Sequence, residues 1–443
     1  MEKQIYSWLI IIYLYITKST VGSLCTIRDD GHCFYTVNCD DPARISINRP
    51  CDTDPYVTLI INKSPVHNVT ANAFNTSFDK YVQILSTEDN DWNNVQDFAF
   101  SNFKNVMYID LSESHIKSIG RAFIGLGQLD SLNLSRNDLE IIDPGVFKFT
   151  EDKSRLYLLD LSYNLLTYLQ EDFFENLYNL RKLYLQGNKL TFLGHQHFKH
   201  LKNLDYLNLC CSNLSTLDIS LKSLTTLTEI DLSNNNLEKV DLFDLKSLEA
   251  IDVSHNNIEE VMFDEFREFA NLREINFGYN KLKNICASDD NLVTKVSKPL
   301  VKVQFDHNNI SHIDRGFFTI FSHISLLDLS HNILIEFEPD TFKHVKVLQI
   351  LNVPNCRVTI SKEILSTLEN TYIFDSTKND DDCRKGSYNV NNEIKYTEKF
   401  MRNKILNLEE PIPKYEVTNG FLTSVLLDKI RFYLSEFVNK IFT

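Results

Sequence analysis

Three histidines in the segment GHQHFKH, His195, His197 and His200, form the tightest grouping of metal-type ligands in the chain. Zinc needs ligand nitrogens that converge on one point. In the repeat unit described below these three fall on the outer, loop-bearing side, where side chains scatter toward solvent. They are read as solvated loop histidines, with no metal and no cofactor. The sequence contains neither H-E-x-x-H nor G-x-S-x-G. Only 12 glycines occur in 443 residues, and none builds a phosphate-cradling loop. No catalytic residue is assigned, and the chain is not expected to be an enzyme.

Sulfur is better represented, with nine cysteines that fit an oxidising compartment. Cys25, Cys33, Cys39 and Cys51 cluster early, and four cysteines allow three disulfide connectivities. The other five, Cys210, Cys211, Cys286, Cys356 and Cys383, are an odd set, so at least one is free or bonded between chains. Cys383, in a polar segment, is the first candidate for an interchain thiol. Sequons at Asn62, Asn68, Asn75, Asn133, Asn213 and Asn309 would carry glycans in an exported chain. Residues 1–23 have the layout of a signal peptide: Lys3, a short apolar run over 8–16, then small residues. Secretion is therefore expected. A formal net charge of -15 without a basic stripe counts against nucleic acid and anionic membrane surfaces.

The elements that must position these groups follow from a period. From Leu227 the sequence LTEIDLSNNNLEKVD places apolar residues at positions 1, 4, 6, 11 and 14, with Asn235 at position 9. The template returns at Leu156, Leu180, Leu248, Leu272, Leu300 and Ile324, and more weakly at Tyr56, Val82, Val106, Leu129, Leu204 and Leu348. Most copies add a phenylalanine at position 19: Phe174, Phe198, Phe266, Phe318 and Phe342. This spacing is that of the leucine-rich repeat, and the chain resembles extracellular members of that family, among them Toll-receptor-like ectodomains and secreted invertebrate leucine-rich immune proteins.

The resemblance implies an α/β solenoid, a right-handed horseshoe with a parallel concave β-sheet and a convex side of loops and short helices. The expected organisation is a signal peptide (1–23), a cysteine-rich N-terminal cap (24–55), about 12–13 repeats (56–372), a polar segment (373–418) and an amphipathic C-terminal helix (419–443). That helix, with Leu422, Leu426, Ile430, Tyr433, Phe437 and Ile441 at helical spacing, reads as neither a bilayer span nor the apolar tail of a lipid-anchor signal. Covering the last repeat, pairing with a partner and lying on a membrane surface remain its three alternatives.

Positions 4 and 6 point inward from a short strand and position 5 points out. Position 9 leaves the strand, where an amide can donate and accept at once. Asn137, Asn164, Asn188, Asn235, Asn256, Asn280, Asn308 and Asn332 are therefore assigned to a structural ladder. The neighbours Asn234 and Asn236 are assigned to the surface. The concave face supplies the candidate partner-binding residues: Tyr157, Tyr163, Tyr184 and Tyr206, then His255, Tyr279, His307 and His331 at position 8 of four consecutive repeats. Aromatic groups with polar tips are favoured interface anchors. A glycan on Asn133 would obstruct the N-terminal third of this face.

The function these readings support is non-enzymatic recognition of an extracellular protein or surface glycan, most of all in innate immunity. The alternative is an adhesion or matrix protein in tissue or neural patterning. Homodimerisation through a disulfide or the terminal helix is compatible with both.

Overall fold

The structure, a computed structural model, describes residues 25–374 apart from 32–33, 40–55 and shorter internal stretches, of which 290–299, 148–153, 219–222 and 354–357 are the longest. The signal peptide, Cys33, Cys51, Asn75, Cys356, Cys383, the C-terminal helix and nearly all of the polar segment before it lie outside the described residues.

Each copy of the template forms one short strand that contains position 4. In Glu229–Asp231, Ile230 is buried between exposed Glu229 and half-buried Asp231. Two residues on, Leu232 is also buried. A single turn of chain cannot cover such a face, so each strand pairs in parallel with that of the next repeat. Ile230 lies beside Ile251, and Ile251 beside Ile275. Among the described residues, sixteen strands join in one sheet that follows chain order throughout. The fold is thus a parallel-sheet solenoid, with one apolar core shared between turns.

Behind the sheet the chain returns through turns, three small parallel sheets and helices of at most six residues among those described. Phenylalanines fill this side. Phe74, Phe100 and Phe123 stack in sequence at 6.3 and 5.9 Å, and Phe174 stacks on Phe198 at 6.2 Å. Offset stacking at this spacing lets consecutive turns interlock without voids.

At the N-terminal end, strand Phe34–Cys39 pairs in parallel with Tyr56–Asn62, and Cys25–Gly31 pairs antiparallel with Phe34–Cys39. The flank therefore continues the sheet, burying Tyr35 and Val37 as an extra layer on the first repeat. Its register places the backbones of Cys25 and Cys39 opposite each other. At the other end a further strand, Tyr372–Phe374, extends the sheet by one member.

The position 9 amides lie inside the core and tie adjacent turns together. Asn235 Nδ2 donates to Leu209 O at 2.9 Å in the preceding repeat and to Leu232 O at 3.0 Å in its own. Its Oδ1 accepts from Ser212 N and Leu214 N at 3.1 and 3.0 Å. Asn256, Asn280, Asn308 and Asn332 each donate in the same two directions, and so do Asn137, Asn164 and Asn188. Asn90 is a ninth such amide that the sequence reading missed: Nδ2 donates to Ile61 O and Oδ1 accepts from Ser64 N.

Candidate interaction face

Two columns of side chains leave the sheet toward its concave face without being dictated by the core. The first is position 5. Its aspartates and asparagines bend back onto their own chain: Asp231 Oδ1 accepts from Ser233 N at 3.0 Å, Asp252 Oδ1 from Ser254 N at 2.9 Å and Asn276 Oδ1 from Gly278 N at 3.0 Å. These are Asx turns, which end the strand by replacing a backbone acceptor with a side-chain one. Between repeats, Asn208 Nδ2 donates to Asp231 at 3.2 Å and Asn276 Nδ2 to Asp252 at 2.9 Å. The column's polarity is therefore largely structural.

One member of it titrates in an unusual range. Burial pushes the carboxyl of Asp160 up to about 6, against hydrogen bonds from Ser162 that lower it. A raised carboxyl means that the folded state holds the proton more tightly than the unfolded chain, whose value is near 3.8. This stabilisation is complete at pH below 3.8 and is lost as pH rises through about 6. Asn133, Asn208 and Asn276 make the same turn without a charge. Asp160→Asn is accordingly expected to raise stability at pH 7 by roughly 1–3 kcal/mol and to flatten its dependence between pH 4 and 7, as checked by denaturant titration across that range. A variant less stable than wild type at pH 7 would contradict it.

The second column is position 8, and its backbone is left-handed wherever it is described. Arg136, Tyr163, Gly187, Cys211, Asn234, His255, Tyr279, His307 and His331 have φ between +52 and +69°. The cause is a relay of hydrogen bonds: from Glu113 to His307 each position 8 N–H donates to the position 7 carbonyl of the following repeat, as His255 N does to Gly278 O at 2.9 Å and Tyr279 N to Asp306 O at 2.8 Å. This turn swings the next residue, the ladder asparagine, into the core. Left-handed geometry costs a side-chain-bearing residue about 1–2 kcal/mol. It recurs in every repeat whose position 8 is described, so it belongs to the fold and does not by itself mark a binding site. It also corrects the expectation that Asn235 alone of its triplet is structural, because Asn234, at φ +54°, occupies the turn that asparagine tolerates best.

What distinguishes one stretch of the column is the side chains it projects. Parallel strands repeat every ~4.8 Å, and four planar rings in successive repeats close that spacing into a stack. His255 lies on Tyr279 at 4.0 Å and 13°, Tyr279 on His307 at 4.0 Å and 9°, and His307 on His331 at 4.1 Å and 21°. The ring faces within the stack are consumed by neighbouring rings. What remains for a partner is the polar edge, with Tyr279 43% exposed. Asp306 Oδ2 lies 3.0 Å from His307 Nδ1. A carboxylate only accepts, so Nδ1 carries the proton and Nε2 is left as an acceptor.

The other four candidate tyrosines do not join this stack. Tyr163 occupies position 8 nearer the N-terminus. The Arg136 guanidinium lies 4.8 Å from its ring centroid, and its ring covers Gly187, where a Cβ would come within 2.4 Å of Tyr163 Cδ1. Gly187→Ala, at φ +69°, is expected to displace Tyr163 and cost about 1–2 kcal/mol. Loss of the Arg136–Tyr163 contact in a crystal structure of the variant would verify the first effect and a denaturation midpoint the second. Tyr184 and Tyr206 pair on adjacent strands at 5.1 Å, while Tyr157, half-buried, stands just before its strand.

Two expectations are corrected. His197 is not solvated: only 2% exposed, it accepts from Gly194 N at Nδ1 (3.0 Å) and faces Leu169 O from Nε2 at 3.0 Å. Nε2 therefore bears the proton, and the ring ties two repeats together across the loop side. Sequence position alone concealed this, because the template assigns no role to the residue preceding the position 19 phenylalanine. Asn133 is enclosed, at 2% exposure, with Nδ2 donating to Asp110 Oδ1 at 2.9 Å. The nitrogen a glycan would occupy is already in use, so the predicted obstruction of the N-terminal third is withdrawn. Asn68, Asn213 and Asn309 are exposed and Asn62 is half-buried. Among the described residues no helix is long and apolar enough to cross a membrane.

A leucine rich repeat family model matches residues 80–139, 154–209, 179–237, 202–258 and 298–358, together just over half of the chain. Keratocan of Mus musculus is 32% identical over 109 residues, which are 20% of this chain and 31% of keratocan; that of Bos taurus matches equally. The chain thus spans about a third of the length of these curated relatives. Among solved structures, the glycosylated Toll–Spatzle complex from Drosophila aligns with a TM-score of 0.59 at 19% identity, over 78% of this chain and 50% of that one. The LRIM1/APL1C complex aligns with a TM-score of 0.53 at 16% identity, over 92% and 77%. At such identities the likeness is one of fold.

Proposed function

This chain belongs to the leucine-rich repeat family, and from that premise we propose that it is a secreted, non-enzymatic recognition protein that binds an extracellular protein or surface glycan through its concave face, in innate immunity. The observation that carries the proposal is the stack of His255, Tyr279, His307 and His331, whose exposed edges do no work in the core. A rigid row of hydrogen-bonding edges suits recognition, since little side-chain freedom is lost on binding. The solenoid's similarity to structures described as Toll–Spatzle and LRIM1/APL1C complexes supports a partner of protein type. The Toll–Spatzle complex is described as a hub in both development and innate immunity. An adhesion or matrix role stands as the second reading, favoured by the stretch shared with keratocan.

The test is affinity capture from extracellular fluid with the full-length secreted protein, with and without reductant, beside a His307→Ala/His331→Ala variant. A partner retained by wild type and lost by the variant is expected. Equal capture by both proteins would overturn the assignment of the stack. The identity of the partner then separates the readings: an immune factor or microbial surface supports the first, a cell-surface or matrix component the second.

A further inference from the structure

Position 8 also carries a feature that the ring stack does not explain. Cys210 and Cys211 are neighbours in sequence, and their sulfurs lie 2.8 Å apart, closer than unbonded sulfurs normally rest and beyond the ~2.05 Å of a disulfide bond. Both are free thiols; Cys211 is exposed and Cys210 half-buried. The backbone between them is clamped. Cys210 N donates to Asn208 Oδ1 and Cys211 N to Ser233 O, each at 3.0 Å, while Cys210 O accepts from Ser212 Oγ at 3.0 Å. Cys211, at φ +58°, is held in the left-handed turn of its column whatever its sulfur does. The third free cysteine among the described residues, Cys286, is a backbone bridge partner of Met262 and is not a competitor within the strand.

We infer that Cys210 and Cys211 are a reversible oxidation site that closes an eight-membered disulfide ring between adjacent residues. The oxidant is a small-molecule disulfide of the glutathione type. The Cys211 thiolate, as the exposed one, attacks that disulfide, forming a mixed disulfide and releasing one thiol. The Cys210 thiolate then attacks the Cys211 sulfur, closes the ring and releases the second thiol. Two protein thiols and one disulfide become one protein disulfide and two thiols, so electrons and protons balance. Burial pushes the Cys210 thiol up, which fits its place as the second, intramolecular attacker, where proximity compensates for a low thiolate fraction. Adjacent Cα atoms are only ~3.8 Å apart, below the usual span of bridged cysteines, so the ring is expected to be easily reduced and to follow the redox state around it.

The test uses the full-length secreted protein equilibrated in glutathione buffers of graded ratio, alkylated with iodoacetamide after denaturation, deglycosylated and cut with trypsin. Residues 203–222 form the fragment that holds both cysteines and the Asn213 sequon. Under oxidising ratios that fragment should take no alkyl group and be lighter by two hydrogens than the dithiol. Under reducing ratios it should take two, with the singly alkylated form always the minority. In a Cys211→Ser protein, Cys210 should never be found in the two-hydrogen-deficient form. A wild-type fragment that takes two alkyl groups at every ratio, or that is found joined to another fragment, would overturn the inference.

Discussion

Asn235→Leu is expected to lower the stability of the solenoid by roughly 3–5 kcal/mol, far more than changes at either neighbouring asparagine. Leucine fits the volume, but it strands Ser212 N and Leu214 N, which donate to Asn235 Oδ1, and the carbonyl of Leu209, which accepts from Nδ2, while Leu232 O keeps its bond from Asn256 Nδ2. All of these are buried, and a buried backbone group without a partner costs about 1–3 kcal/mol. The effects overlap, because the repeats can part slightly and admit water. Asn236 is exposed, so Asn236→Leu should stay within about 0.5 kcal/mol of wild type. Asn234→Gly should be neutral or slightly stabilising, since glycine accepts φ +54° freely, while Asn234→Val should cost about 1–2 kcal/mol. Denaturant titration of the four variants gives the ranking. An Asn235→Leu protein as stable as Asn236→Leu would show that the amide ladder contributes little.

That triplet shows how far the period alone can be read. A residue at position 9 is followed by a buried leucine and preceded by a strand, so its amide has to face inward, and spacing suffices to say so. The same arithmetic from Val82 leads to Asn90, yet the copy was hard to recognise because position 6 is Thr87. The structure shows why threonine is tolerated: its Oγ1 donates to Asp110 O at 3.3 Å and lies 2.9 Å from Ser114 Oγ, so a polar atom in the core keeps its partners. Handedness at position 8 is not written in hydrophobic spacing, since φ leaves no trace in burial. The sequence signals are Gly187, Asn234 and the three histidines, residue types enriched in this conformation, and Arg136, Tyr163, Cys211 and Tyr279 share it without one. Likewise the spacing of His255, Tyr279, His307 and His331 places four rings in one column, but whether they offer faces or edges depends on side-chain rotation, which spacing does not determine. His197 escaped because its bonds run to backbone atoms of a neighbouring loop, outside any periodic pattern.

Tyr279→Ala is expected to weaken partner binding about 10- to 100-fold, or about 1.4–2.7 kcal/mol, while changing stability by less than about 1 kcal/mol. Tyr279 is the second of the four rings and has an imidazole 4.0 Å from each face. Its removal opens a gap of two ring spacings, so His255 loses its only ring neighbour among the described residues and can rotate. The core below is untouched, since Phe277 and Asn280 on either side keep their own contacts. Tyr279→Phe divides the effect. It preserves the stack and removes only the hydroxyl, so recognition by edges predicts a loss of roughly 3- to 10-fold, whereas a ring acting as a mere spacer predicts none. Surface plasmon resonance with the captured partner measures both variants, and unchanged affinity in Tyr279→Ala would exclude the ring edges as the contact.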